Sequence, residues 1–370
     1  MMQGMTVQEL VEAVRAADAA ARDYTATLSD LAWEAPTPDR PGGRVAFEDP
    51  GGATRELALT PRSHGHVASR LEIPRPFYNR VLEQHPGLWR DTVAQLSGAT
   101  NKAVMLRTAD DNLRALLSSS YRRMDNWPVL REVAGFLGEL PGVEVVSSNV
   151  SEAKMWLKIV SPKRDAVEVL KGDWMRTGVA ISNSEVGEGS FSVRGFAERL
   201  VCLNGMVVPV DVLGIRRTHL GKRLSEPGDR ARELVLSDET VRAEAHALAL
   251  MARDVMAEMF APEAQLRLAD RLRDAAQDRV TGHVVPAVQE LARVLVLTEE
   301  ETSSVLDSLL RAGGDPTRYS MIQAVTDASK QARSYDRATE MEAAGGKILT
   351  LPSSTWRKIA TAEAPAAVAV

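Results

Sequence analysis

Residues 153–160 read Ala153-Lys154-Met155-Trp156-Leu157-Lys158-Ile159-Val160. Met155, Leu157 and Ile159 alternate with Lys154, Trp156 and Lys158, a period of two that marks a β-strand with one apolar and one basic-aromatic face. Sheet signals surround it. Residues 102–108 and 113–119 are apolar-rich runs separated by Ala109-Asp110-Asp111-Asn112, a cluster of turn formers, and so read as a β-hairpin. Residues 143–147 form a further strand, and 178–183 and 190–194 bracket the turn at 185–189. Asn204-Gly205 sits within the apolar run 199–210 as a two-residue hairpin pair. One helix interrupts the series at 127–140, with Asn126 at its cap and Pro128 in its first turn.

Beyond residue 224 the period changes to that of a helix. Helices are expected from Ser237, as cap, to Met259, and then over 262–279, 285–295, 299–312 and 316–343. Thr298 with Glu301 forms a capping box, and Gly313-Gly314 and Gly345-Gly346 read as helix stops. Before the sheet, a helix over 6–21 opens with Thr6 and Glu9 as a capping box, 35–49 is a Pro/Gly-rich connection, and 55–59 is a short strand. Two short helices follow at 62–70 and 75–83, divided at Ile73-Pro74; they look like a helix–turn–helix, although most such pairs merely pack on a core.

The fold class that follows is α+β: an antiparallel β-rich central domain with packed helices, then an all-α C-terminal region. The expected division is an N-terminal α/β segment (1–100), the β-rich domain (101–223), the helical domain (224–350) and a flexible tail (351–370).

Charge follows the same division. The formal net charge is -5, yet 101–223 carries 18 basic and 14 acidic residues while both flanking sections are net acidic. A positive section between acidic ones can mark polyanion binding, or simply a solvated mixed surface. The lone Cys202 excludes an intrachain disulfide and, within an apolar strand, reads as buried. Met1 to Leu10 is too polar for a signal peptide, and no stretch of eighteen apolar residues exists. A cytoplasmic protein with no membrane partner is expected.

The sequence has no phosphate-binding glycine loop with its lysine, no dinucleotide fingerprint and no Gly-x-Ser-x-Gly elbow. His64 and His66 are two apart on a helix and point apart, with no cluster of further ligands. Asp110-Asp111 suits a turn, and Glu299-Glu300-Glu301 suits a helix's first turn. No catalytic residue, metal or cofactor is therefore expected. The remaining candidates are cationic: Tyr121, Arg122, Arg123, Lys154, Trp156, Lys158, Arg216 and Arg217. Rings interleaved with Lys and Arg suit single-stranded nucleic acid, bases stacking on the rings and cations neutralising phosphates. The competing reading makes Trp156 core and the cations ordinary surface.

Three stretches resemble the phage/plasmid-related proteins of domain-of-unknown-function family 932. They are Leu59-Thr60-Pro61-Arg62-Ser63-His64-Gly65-His66, continuing through Leu71-Glu72-Ile73-Pro74 to Phe77-Tyr78; Arg114-Ala115-Leu116-Leu117-Ser118-Ser119-Ser120-Tyr121-Arg122, to Asp125-Asn126; and Gly313-Gly314-Asp315-Pro316-Thr317-Arg318-Tyr319, through Gln323-Ala324-Val325-Thr326 to Tyr335-Asp336-Arg337-Ala338-Thr339-Glu340. Leu203-Asn204-Gly205-Met206 fits as well. The resemblance brackets about residues 57–350 and implies a mobile-element context, without an established activity to carry over. The architecture is also loosely similar to phage single-strand annealing proteins of the Red-beta and Erf kind, an analogy of fold alone.

The leading expectation is thus a non-enzymatic, homo-oligomeric protein that holds or anneals single-stranded DNA on a basic sheet face. Arg122, Arg123, Lys154, Lys158, Arg216 and Arg217 would contact phosphate, and Tyr121 and Trp156 would stack on bases. Two other expectations stand beside it: a protein-interaction module modulating a host or phage factor through the acidic helical part, and an enzyme using His64, His66 or Asp125.

Overall fold

Thr6 starts the first helix, Val7–Ala20 (α1), as its spacing to Glu9 requires: the Thr6 hydroxyl accepts from Glu9 N, and the Glu9 carboxylate accepts from Thr6 N. The structure, a computed structural model, describes residues 1–201, 203–209, 214–217 and 238–363, with the side chains of 214–217, 238 and 241 excluded. After α1 come Ala21–Thr27 (β1), Ala32–Glu34 (β2), Arg44–Glu48 (β3), Thr54–Leu59 (β4), the helices Pro61–Arg70 (α2), Arg75–Gln84 (α3) and Pro86–Gly98 (α4), and the hairpin Ala103–Ala109 (β5) with Asn112–Ser118 (β6). These strands form one sheet in the order β1-β5-β6-β4-β3-β2, antiparallel except where β4 runs parallel to β6. The hairpin that sequence assigns to the central section thus completes the N-terminal sheet, because β1 pairs with β5 along its whole length.

β4 pairs with β6 only at Asn112 and Leu113, and α2 closes the rest of that edge. Thr60 Oγ1 donates to Leu113 O at 3.1 Å, and Leu116 N donates to His66 Nδ1 at 3.2 Å. Side chains here accept and donate where a neighbouring strand would.

Asn126–Leu137 (α5) leads into the central strands: Glu144–Val150 (β7), Met155–Val160 (β8), Val167–Leu170 (β9), Asp173–Asn183 (β10), Phe191–Arg199 (β11), Asn204–Val207 (β12) and Gly214–Arg217 (β13). The sheet order is β12-β11-β10-β8-β7, with β13 beside β12 on β11 and β9 beside β8 on β10. Asn204-Gly205 is not the turn. The chain reverses between Arg199 and Asn204, and Gly205 pairs with Glu198 inside the ladder. Its hydrogen is needed because a Cβ there would lie 2.3 Å from Phe196 Cζ. The burial expected for Cys202 falls on a residue outside those described.

The helices are Asp238–Phe260 (α6), Pro262–Gln277 (α7), Val284–Leu295 (α8), Glu299–Ala312 (α9), Arg318–Ala328 (α10), Tyr335–Leu349 (α11) and Ser353–Ala360 (α12). Ser237, the expected cap of α6, lies outside the described residues. The single helix expected over 316–343 is two, with Ser334 capping the second. Gly345-Gly346 is not a helix stop. It lies within α11, where a Cβ on Gly346 would sit 2.0 Å from Val207 O, so glycine permits the helix to cross β12. Residues 353–360, placed by sequence in a flexible tail, form α12 and bury Trp356 and Ile359. The architecture is α+β. Among the described residues no helix is long and apolar enough to cross a membrane.

The alternation in β8 produces two faces, as read from sequence, but both are covered. Met155, Leu157 and Ile159 join the main core with α5 and α6. Trp156 and Lys158, 4% and 1% exposed, lie under α11. Lys158 Nζ meets Glu342 Oε2 at 2.6 Å and lies 4.9 Å from the Tyr335 ring centre. Removing one member of a buried pair strands the other charge without water or partner, at about 3–5 kcal/mol, whereas replacing both by apolar residues can be neutral. Lys158→Met and Glu342→Gln should therefore each lower unfolding free energy by about 3 kcal/mol or more, and Lys158→Met with Glu342→Leu should recover most of it. Urea denaturation measures this, and single variants as stable as the parent would contradict the assigned pair.

Candidate functional site

Of the residues expected to form one basic-aromatic face, those with described side chains do not converge on one. Trp156 Nε1 donates to Asp336 Oδ1 at 2.6 Å, and the Lys154 ammonium lies 5.7 Å from the Trp156 ring centre. Tyr121 is buried, its hydroxyl donating to Ser184 O at 3.0 Å. Arg122 pairs with Glu244 at 2.7 Å and Arg123 with Asp23 at 3.4 Å. Arg216 and Arg217 stand on β13, opposite Ser192 and Phe191, and their side chains lie outside the described residues. Base stacking on Tyr121 and Trp156 and phosphate binding by Lys158 are therefore withdrawn: the rings are interior, and the lysine already has its anion. A strand's period separates two faces, but it does not say whether water or a helix lies beyond each.

Tyr121 and Arg123 belong instead to a polar joint between the two sheets, built around the β10–β11 connection, residues 184–190, while Arg122 pairs with Glu244 on α6. Val186 is buried with Met105, Ala115, Leu117 and Tyr121, so this hairpin tip is plugged into the N-terminal sheet. Gly187, at φ +77, leaves room for Leu117, whose Cδ2 would be 2.9 Å from a Cβ there. The Glu185 carboxylate accepts from Asn126 N at 2.7 Å, capping α5, and from Arg114 Nη2 at 2.8 Å. Arg62 pairs with Glu188.

Arg107 sits at the centre, 3% exposed. It donates to Asp23 Oδ1 (2.9 Å), Glu185 O (2.8 Å) and Asp125 Oδ1 (2.5 Å). Burial favours its neutral form, but the Asp125, Asp23 and Glu185 carboxylates outweigh that and hold it charged. Such a joint fixes geometry. Its acids and bases are committed to one another.

The histidines are committed too. His64 Nδ1 and Tyr78 OH are 2.7 Å apart, within an edge-to-face aromatic group that includes Trp89. His66 accepts the β6 edge N–H, and Asp125 is held by Arg107, so His64, His66 and Asp125 occupy three separate sets of contacts. Among the described residues no three His, Cys, Asp or Glu side chains are arranged to hold a metal ion.

Sequence reasoning passed over Arg70, Arg75 and Arg80. α3 packs against α2 and α4. Tyr78 and Val81 face inward; Arg75, Phe77 and Arg80 face out. Arg75 donates to Pro61 O at 3.4 Å and lies 5.7 Å from the Tyr78 ring centre. Among the described residues no carboxylate lies within ion-pair distance of Arg70, Arg75 or Arg80, and Phe77 beside them is 39% exposed. The available signal was local composition: residues 61–84 hold four arginines and two glutamates in a section that is acidic as a whole.

Burial pushes both His64 and His66 down to about 4. In the unfolded chain each would protonate near 6.5, so stability present above that value is lost as pH falls from about 6.5 toward 4, by up to about 3 kcal/mol per ring. Thermal unfolding should show a melting temperature falling between pH 7 and pH 5, with a shallower fall in His64→Gln. A profile flat through that window, or the same slope in the variant, would refute this account of the aromatic group.

No protein-family model, curated protein or solved structure matches this chain.

Proposed function

We propose that this chain is a non-enzymatic nucleic-acid-binding protein of a phage- or plasmid-related element, acting in the cytoplasm, and that it holds its ligand through the outward face of α2 and α3. The supporting observation is the contrast between two sets of cations. In the central section Arg107, Arg114, Arg122, Arg123, Lys158, Arg176 and Arg199 each have a carboxylate partner. On α2 and α3, Arg70, Arg75 and Arg80 have no such partner among the described residues. A guanidinium already paired with a carboxylate must give up that partner to bind phosphate. Exposed Arg80 gives up only water, half-buried Arg70 faces no competing carboxylate, and Arg75 gives up a long bond to Pro61 O; each planar fork matches two phosphate oxygens. The mobile-element part of this reading rests on the sequence resemblance to family 932 alone, and no family model matches the chain.

Neutralised phosphates release counterions, so log affinity should fall with log salt by roughly 0.7–0.9 per contact, or about 2–3 for three arginines. Fluorescence anisotropy on the full chain with labelled oligonucleotides at two salt concentrations measures this slope. Changing Arg70, Arg75 and Arg80 together to Gln should weaken binding by about tenfold or more, while the exposed Lys171→Gln should leave it unchanged. Salt-independent binding, or a triple variant that binds as the parent does, would overturn the proposal.

A further inference from the structure

We infer that α2 and α3 form a helix–turn–helix unit that places α3 in the major groove of double-stranded DNA. The inference rests on the nucleic-acid reading above and narrows it to a duplex. Its basis is the fixed geometry of the pair. Each helix is ten residues long, and four residues, Leu71 to Pro74, join them. Ile73 N donates to Ala68 O at 2.8 Å, closing the end of α2, and Glu72 takes φ +58, the left-handed conformation that a sharp reversal needs. Pro74 then fixes the entry to α3. Val67 and Ala68 of α2 and Tyr78 and Val81 of α3 bury into one core with Trp89 and Val93 of α4. The angle between the helices is thus set by packing, and the outer helix cannot pivot freely.

The outer surface of α3 suits base edges better than unstacked bases. A ten-residue helix is about 15 Å long and, with side chains, about 10–12 Å across, which matches a major groove about 12 Å wide. Arg80 and Gln84 lie toward solvent on α3, with Asn79 half-buried beside them. Their chemistry is that of groove readers, arginine for guanine and the amides for adenine. Arg70 and Arg75, at the end of α2 and the start of α3, flank the reading surface where the phosphate backbone would pass. Single-strand binding calls for several exposed rings along a groove. On this pair Phe77 is exposed while Tyr78 is in the core.

The test is anisotropy on the full chain with a mixed-sequence duplex of about 30 base pairs, roughly three helical turns, and with each of its strands alone. The duplex should bind at least tenfold more tightly than either strand. Arg80→Ala with Gln84→Ala should reduce duplex affinity about tenfold or more, with melting temperature unchanged because both positions are exposed. Single strands that bind as well as the duplex would overturn the inference and leave the broader nucleic-acid reading standing. A folded double variant that keeps full duplex affinity would overturn it as well. Binding to neither probe would remove both.

Discussion

A lysine placed inside a protein must find an anion, and the central sheet is arranged around that requirement. Lys158 lies mid-strand in β8, the fourth of five strands counted from β12, with strands on both sides and helices over both faces. Its charge is met by Glu342 on α11, and the neighbouring Trp156 is met by Asp336 on the same helix. These contacts fix the position of α11 along the sheet, and Gly346, close against Val207, fixes its depth. An apolar strand could accept a helix at several offsets. A strand carrying one lysine and one indole N–H accepts it where two carboxylates fall in place. Buried pairs of this kind add little net stability, but a mismatched arrangement would strand charges, and that penalty selects the register.

The joint between the two sheets follows the same logic. Arg107 stands on the N-terminal sheet and bonds both the Glu185 carbonyl on the central hairpin and the Asp125 carboxylate at the start of α5, while the Glu185 carboxylate is held by Arg114 and Asn126 N. Val186 supplies the apolar plug. Residues 59–78 and 114–126 send Arg62, Arg114, Tyr121 and Asp125 to this joint. Residues 313–340 send Tyr335 and Asp336 to the covered face of the sheet, and Arg318 to the carbonyls of Ile348 and Leu351. Architecture accounts for these side chains without any chemistry on a substrate.

Much of the fold was legible because local rules decided it. The capping boxes at Thr6 and Thr298, the period of two in β8 and the stripe in α6 needed no tertiary information. What escaped depended on distant partners. β1 was missed because Ala21–Thr27 is an edge strand of mixed polarity, defined by its pairing with β5. Asn204-Gly205 resembled a turn, but its glycine answers to Phe196 on the next strand; Gly345-Gly346 resembled a stop, but its glycines answer to α10 and β12. Glycine records that something comes close. It does not say whether that is a turn's own backbone or another element.

The candidate site escaped for a related reason, one that concerns charge. A tally along the sequence found 101–223 positive between acidic sections and took the excess as available to a ligand. The three sections are neighbours in space, so the excess is met largely from within. Asp23 reaches Arg107 from one side, while Glu244 and Glu342 reach Arg122 and Lys158 from the other. Cations that the fold requires come with their anions, because burial without them is costly. Cations the fold does not require can stay unpaired only where water solvates them, and a net count over a hundred residues hides such positions among neighbouring acids. The arginines of α2 and α3 occur in a section that is net negative. What distinguishes them is the absence of a carboxylate partner among the described residues, a property of contacts in space that no sum over sequence contains.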